Sequence, residues 1–224
     1  MPNMSMLTTT FFDRDACDVA RSLLGKIIRH KYNGIWLAAR IIETEAYYMH
    51  ERGSHASLGI TEKRKALFMP AGTIYMYYAR GGDSLNVSCR GEGNAVLIKS
   101  AAVLSDNATH QQAIAMMQKL NPLPSGATRR TNKLCSGQTL LCRSMNILVL
   151  DWDQKSFDKN VFYIDDIGIK PQRIIQTTRL GIPAGRDEHL HYRYVDYEFV
   201  KQCTSNPLTK RDWREGIEYT VLKK

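Results

Sequence analysis

Lys26-Ile27-Ile28-Arg29-His30-Lys31-Tyr32-Asn33-Gly34-Ile35-Trp36-Leu37-Ala38-Ala39-Arg40-Ile41-Ile42-Glu43-Thr44 is the stretch that decides the fold. Two strand-like runs flank Asn33-Gly34, and both turn residues tolerate positive φ, so the segment reads as a tight β-hairpin. In the second run Ile35, Leu37, Ala39 and Ile41 alternate onto one face. Glu43 and Glu45 continue that parity, which predicts both carboxylates at the mouth of the apolar layer. Upstream, Ala16, Val19, Ala20, Leu23 and Leu24 form a helical stripe over residues 14–24, with Asp13 as N-cap and Gly25 just past the end.

Further along, residues 73–78 predict a strand with Tyr75 and Tyr77 on one face and Ile74, Met76 and Tyr78 on the other. Ala79-Arg80-Gly81-Gly82-Asp83 reads as a Gly-rich turn, and 84–89 as the returning strand. Another strand is expected over 96–104, a helix over 107–120 ended by Pro122, helical structure over 129–145 around Cys135-Ser136-Gly137, and strands near 173–180 and 190–200. Hairpin-linked strands with interspersed helices predict an α+β fold, a single domain over 1–224 built on an antiparallel or mixed sheet with peripheral helices.

The chain has 224 residues, 43% hydrophobic and 24% charged, with a net charge of +9. A basic balance suits a polyphosphate partner and equally suits plain solubility. No apolar run approaches the ~20 residues of a membrane span. The first ten residues show no signal peptide, and the five cysteines are odd in number and widely spread. Those features predict free thiols and a cytoplasmic location.

The chemistry concentrates in Glu43-Thr44-Glu45-Ala46-Tyr47, with His55 ten residues after Glu45. A carboxylate at a strand end can activate water or stabilise developing positive charge, as glycosidic cleavage requires. A surface Glu paired with an Arg is the plainer alternative. Tyr75 and Tyr77 could stack a flat ring, or be ordinary strand tyrosines. Lys63-Arg64-Lys65, Arg129-Arg130 with Lys133, and Lys210-Arg211 with Arg214 form three basic clusters. Arg129, Arg130 and Lys133, with Ser136 and Gly137, combine cations, a hydroxyl and backbone N–H groups suited to phosphate. His189 and His191 lack a third ligand at sensible spacing, so no metal or cofactor is expected. Gly-x-Ser-x-Gly, Gly-x-Gly-x-x-Gly and Walker A strings do not occur.

These strings resemble the methylpurine (3-methyladenine, or alkyladenine) DNA glycosylases. The resemblance runs from Leu23-Leu24-Gly25-Lys26 through Ile42-Glu43-Thr44-Glu45-Ala46-Tyr47, His55-Ala56-Ser57, Gly72-Thr73-Ile74-Tyr75-Met76-Tyr77, Leu85-Asn86-Val87 and Leu134-Cys135-Ser136-Gly137 to Arg179-Leu180-Gly181-Ile182. It implies a curved sheet similar to the C-terminal domain of methionyl-tRNA formyltransferase. It also implies a monomeric, monofunctional base-excision-repair enzyme that flips a damaged purine from double-stranded DNA and hydrolyses its N-glycosidic bond. The substrates implied are 3-methyladenine and 7-methylguanine, with hypoxanthine and ethenoadenine as candidates.

By this resemblance Glu45 is the general base, Tyr47 stacks one face of the base, and His55 and Tyr77 form the opposite wall. Asn86 screens purines, Lys99 stands where relatives carry an Arg, and Arg80 stands where relatives carry a wedging Tyr. A non-catalytic nucleic-acid-binding domain on the same fold is the alternative.

Overall fold

The computed structural model describes residues 5–79, 81–104, 110–210 and 212–223. Among the described residues ten strands form one sheet: β1 (Ser5–Met6), β2 (Ile27–Tyr32), β3 (Ile35–Tyr47), β4 (Ile74–Ala79), β5 (Gly82–Ser88), β6 (Ala95–Val103), β7 (Phe162–Asp166), β8 (Arg173–Thr177), β9 (Arg193–Asp196) and β10 (Tyr219–Lys223). Their order is β1-β7-β2-β3-β6-β5-β4, with β9, β8 and β10 joined to the far half of β3. Every pairing between these strands is antiparallel. The α+β expectation holds, and of the antiparallel and mixed alternatives the sheet takes the first.

The Asn33-Gly34 hairpin forms as read. Tyr32 pairs with Ile35, and the turn residues have φ of 49° and 78°, the left-handed geometry a two-residue loop requires. The helices are α1 (Thr9–Phe12), α2 (Ala16–Leu23), α3 (His110–Leu120), α4 (Gln138–Met145) and α5 (Val149–Trp152). The cap of α2 is Asp15 rather than Asp13: its carboxylate accepts from the Cys17 and Asp18 N–H groups. Residues 129–145 are not one helical run. A short 3₁₀ turn, Thr131–Lys133, is separated from α4 by Gly137 at φ 115°, a conformation no helix interior accepts. Strands β7 and β10 have no counterpart in the sequence reading. The predicted 173–180 strand stops at Thr177, and 190–200 shrinks to Arg193–Asp196 before a 3₁₀ turn.

One face of the sheet carries the main core. Leu37, Ala39, Ile41, Ile74, Met76, Leu85, Val87, Val96 and Ile98 pack there against the stripes of α2, α3 and α4. Parity then changes within β3. The ladder to β6 is irregular between Ile41 and Thr44. Past it, Ala46 joins the core of Leu37 and Ala39, and Thr44 donates to the Ala20 carbonyl of α2, whereas Ile42 packs in a separate cluster with Ile175 and Val195. A β-bulge of this kind re-aims every later side chain. Glu43 and Glu45 therefore leave the face of Ile41 for the opposite one, and both are fully buried rather than at a mouth.

Candidate active site

The register lays one row of side chains across the face opposite the main core. Tyr75 pairs with Asn86, Asn86 with Leu97, Leu97 with Glu45, and Glu45 with Arg193. Over this row opens a cavity of about 390 Å³, within the range of small-molecule sites of roughly 300–1,000 Å³. Tyr47, His55, Tyr75, Tyr77, Asn86 and Lys99, all expected site residues, line it together with Gln138 and the Leu180–Pro183 loop.

Glu45 lies beneath the lining. Its carboxylate is chelated by Lys99 Nζ, 3.2 Å from Oε1 and 3.3 Å from Oε2. The Tyr47 hydroxyl donates to Oε2 at 2.8 Å, the Leu180 N–H donates to Oε1 at 3.1 Å, and Arg193 Nε stands 4.0 Å from Oε1. Burial pushes the Glu45 pKa upward, but Lys99, Arg193, the Leu180 N–H and the Tyr47 hydroxyl outweigh it and hold the carboxyl below its ordinary range. A buried carboxylate kept ionised is prepared to accept a proton.

Glu43 takes a different part. Arg193 donates to its Oε1, and Ser100 and Thr204 donate to it as well, so its oxygens are fully engaged inside the protein. Both Arg193 and Glu43 are 0% exposed, which makes the pair a strut beneath the row.

Three more aromatic rings line the cavity as a cluster. The His55 ring lies 4.6 Å from that of Tyr77 and 6.2 Å from that of Tyr75, and the two tyrosine rings are 5.7 Å apart. His55 Nδ1 is 2.9 Å from the Tyr75 hydroxyl. Burial, and then the Arg64 charge, lower the His55 pKa from its ordinary value. Asn86 donates to the Tyr75 carbonyl at 3.2 Å, which fixes its amide at the cavity wall. Gln138, at the start of α4, donates to Ser84 Oγ at 2.8 Å and to the Tyr77 hydroxyl at 3.5 Å.

Of the expected backbone contacts, Arg129 donates to the Asn121 and Pro122 carbonyls at the end of α3, Lys133 to the Lys201 carbonyl, and Ser136 to the Gln202 carbonyl. These side chains already serve the fold. The Gly137 N–H donates to Cys135, while Arg130 is exposed. Arg80 lies outside the described residues.

Arg193 and Gln138 escape the sequence reading, and Arg179 enters it only within a family string. The signal for Arg193 is a lone cation inside His191-Tyr192-Arg193-Tyr194-Val195, a run otherwise suited to a buried strand. Gln138 carries no local signal.

The sequence profile of the methylpurine-DNA glycosylase family matches residues 10–198. A provisionally named 3-methyladenine DNA glycosylase of Pseudomonas syringae pv. syringae is 61% identical over 212 residues, 95% of each chain. Its counterpart in Pseudomonas aeruginosa strain PAO1 is 57% identical over 221 residues, 99% of this chain and 92% of the relative. The mouse DNA-3-methyladenine glycosylase is 31% identical over 189 residues, 77% of this chain and 53% of the relative. The matched span carries the whole cavity row from Glu45 to Arg193, and the chain belongs to the methylpurine-DNA glycosylase family.

Proposed function

We propose that this protein is a monofunctional DNA-3-methyladenine glycosylase that hydrolyses the N-glycosidic bond of alkylated purines flipped out of duplex DNA. The observation that carries the reading is a buried Glu45 beneath an aromatic-lined cavity, its carboxylate held by Lys99, the Tyr47 hydroxyl and the Leu180 N–H. A purine entering the cavity would stack between Tyr47 and the His55–Tyr77 wall, gaining roughly 1–3 kcal/mol per aromatic platform. Asn86, held by the Tyr75 carbonyl, would crowd an exocyclic amino group. Water would reach Glu45 by exchanging with the Tyr47 O–H bond, and the carboxylate would take its proton as the sugar develops oxocarbenium character.

Methylated purines such as 3-methyladenine are cationic in DNA and leave readily, so water activation matters more than a general acid. Lys99 would keep Glu45 ionised through one ammonium group rather than the two-nitrogen fork of an Arg. The net charge of +9 favours the phosphate backbone, with Arg130 as a backbone contact and Arg80 as the residue filling the vacated stack. Extrusion costs a few kcal/mol and is cheapest for poorly pairing lesions, which itself contributes selectivity.

The test uses duplexes carrying a single hypoxanthine or ethenoadenine, followed by alkali. Strand scission is expected only after alkali and is expected to fall by at least 10²-fold in Glu45→Gln, the scale of a lost general base. Full activity in Glu45→Gln overturns the mechanism.

A further inference from the structure

An ion pair that the reaction above does not use sits behind Tyr47. The Arg179 guanidinium carbon is 4.5 Å from the Tyr47 ring centroid. Tyr47 lines the cavity and Arg179 does not, so the ring separates this cation from the space where a base would lie. Arg179 Nη1 pairs with Glu51, and neither side chain is more than 1% exposed. The same Nη1 donates to the Ala46 carbonyl at 2.9 Å, while Glu51 Oε1 accepts the Tyr48 N–H at 3.1 Å. The pair thus grips the residues on either side of Tyr47 and covers its rear face.

A π face attracts a cation through the ring quadrupole, and a second cation behind the ring opposes the first. With Glu51 beside it, the rear guanidinium is neutralised at close range. We infer that the Arg179–Glu51 pair determines specificity: it fixes the plane of Tyr47 and, by cancelling the charge behind it, lets the front face accept cationic purines as well as neutral ones. The inference rests on the reading of Tyr47 as the stacking platform.

Single-turnover release of 7-methylguanine, which is cationic, and of hypoxanthine, which is neutral, from matched duplexes tests it. Each variant is assayed on both, so the folded fraction cancels in the ratio. Glu51→Gln leaves the guanidinium uncompensated roughly 8 Å from a stacked base. At the effective dielectric of a protein site the 7-methylguanine to hypoxanthine ratio should fall on the order of tenfold. Arg179→Met removes the rear cation and should not lower the ratio. An unchanged ratio in Glu51→Gln, or a fall in both variants, overturns the inference and leaves a purely structural pair. Wild-type protein that releases neither base overturns the reading of the cavity itself, and this inference with it.

Discussion

Arg193→Met is expected to cost more stability than any surface substitution in this chain. Arg193 is 0% exposed and bonds Glu43 Oε1 through Nε at 2.8 Å and Nη2 at 2.7 Å. It also donates to Thr204 Oγ1 at 3.0 Å and the Ser205 carbonyl at 2.8 Å. Methionine retains the aliphatic bulk but leaves Glu43 buried without its cation. Breaking a buried pair by removing one partner costs about 3–5 kcal/mol. For a chain of this size each kcal/mol shifts Tm by about 2–4 °C, so the melting point should drop by roughly 6–20 °C. Thermal melts followed by circular dichroism measure this directly. The double variant Glu43→Gln with Arg193→Met should recover part of the loss, because no charge is then stranded. A drop in Tm of under about 3 °C for the single variant would refute the strut beneath the cavity row.

Two further outcomes follow from the geometry. Lys99→Gln removes the strongest influence holding the Glu45 carboxyl below its ordinary range, so the carboxyl pKa rises. With Glu45 as the proposed general base its ionised form is the working one, and the acid limb of the pH–rate profile should move to higher pH; an unmoved limb contradicts the pairing. Gly82→Ala places a Cβ 2.0 Å from Thr139 Cγ2, where the β4–β5 hairpin lies on α4. Overpacking of this kind costs about 1–3 kcal/mol, readable by urea denaturation, and Thr139→Ala in the same chain should return most of it. A Gly82→Ala variant as stable as wild type would show that the hairpin does not rest on the helix.

Much of the fold was legible because its signals are local. Asn33-Gly34 marks its own turn, and the alternation of Tyr75 and Tyr77 against Ile74 and Met76 sorts into cavity and core as read. The misreadings have local causes too. Asp13 suits a cap by residue type, and only the side-chain bonds of Asp15 show that the helix begins two residues later. Cys135-Ser136-Gly137 sits between helical segments whose composition hides the break.

The parts that resisted are long-range. Arg193 is a buried partner of Glu43 across 150 positions of chain. Arg179 enters the sequence reading only as part of a family string, yet it backs Tyr47. The bulge in β3 is the sharpest case. Strict alternation assigns Glu43 and Glu45 the face of Ile41, and only the interrupted ladder to β6 reveals the change.

That bulge makes the site a matter of phase. A substitution at Glu45 removes one group and leaves its neighbours in place. Flattening the bulge at an unchanged residue count would restore simple alternation instead. Glu45 and Tyr47 would then turn as a set into the apolar layer, and Thr44 and Ala46 would face the cavity. The side of the sheet that carries Glu45 is thus encoded by a count of residues as much as by their identities, through the extra residue between Ile41 and Thr44.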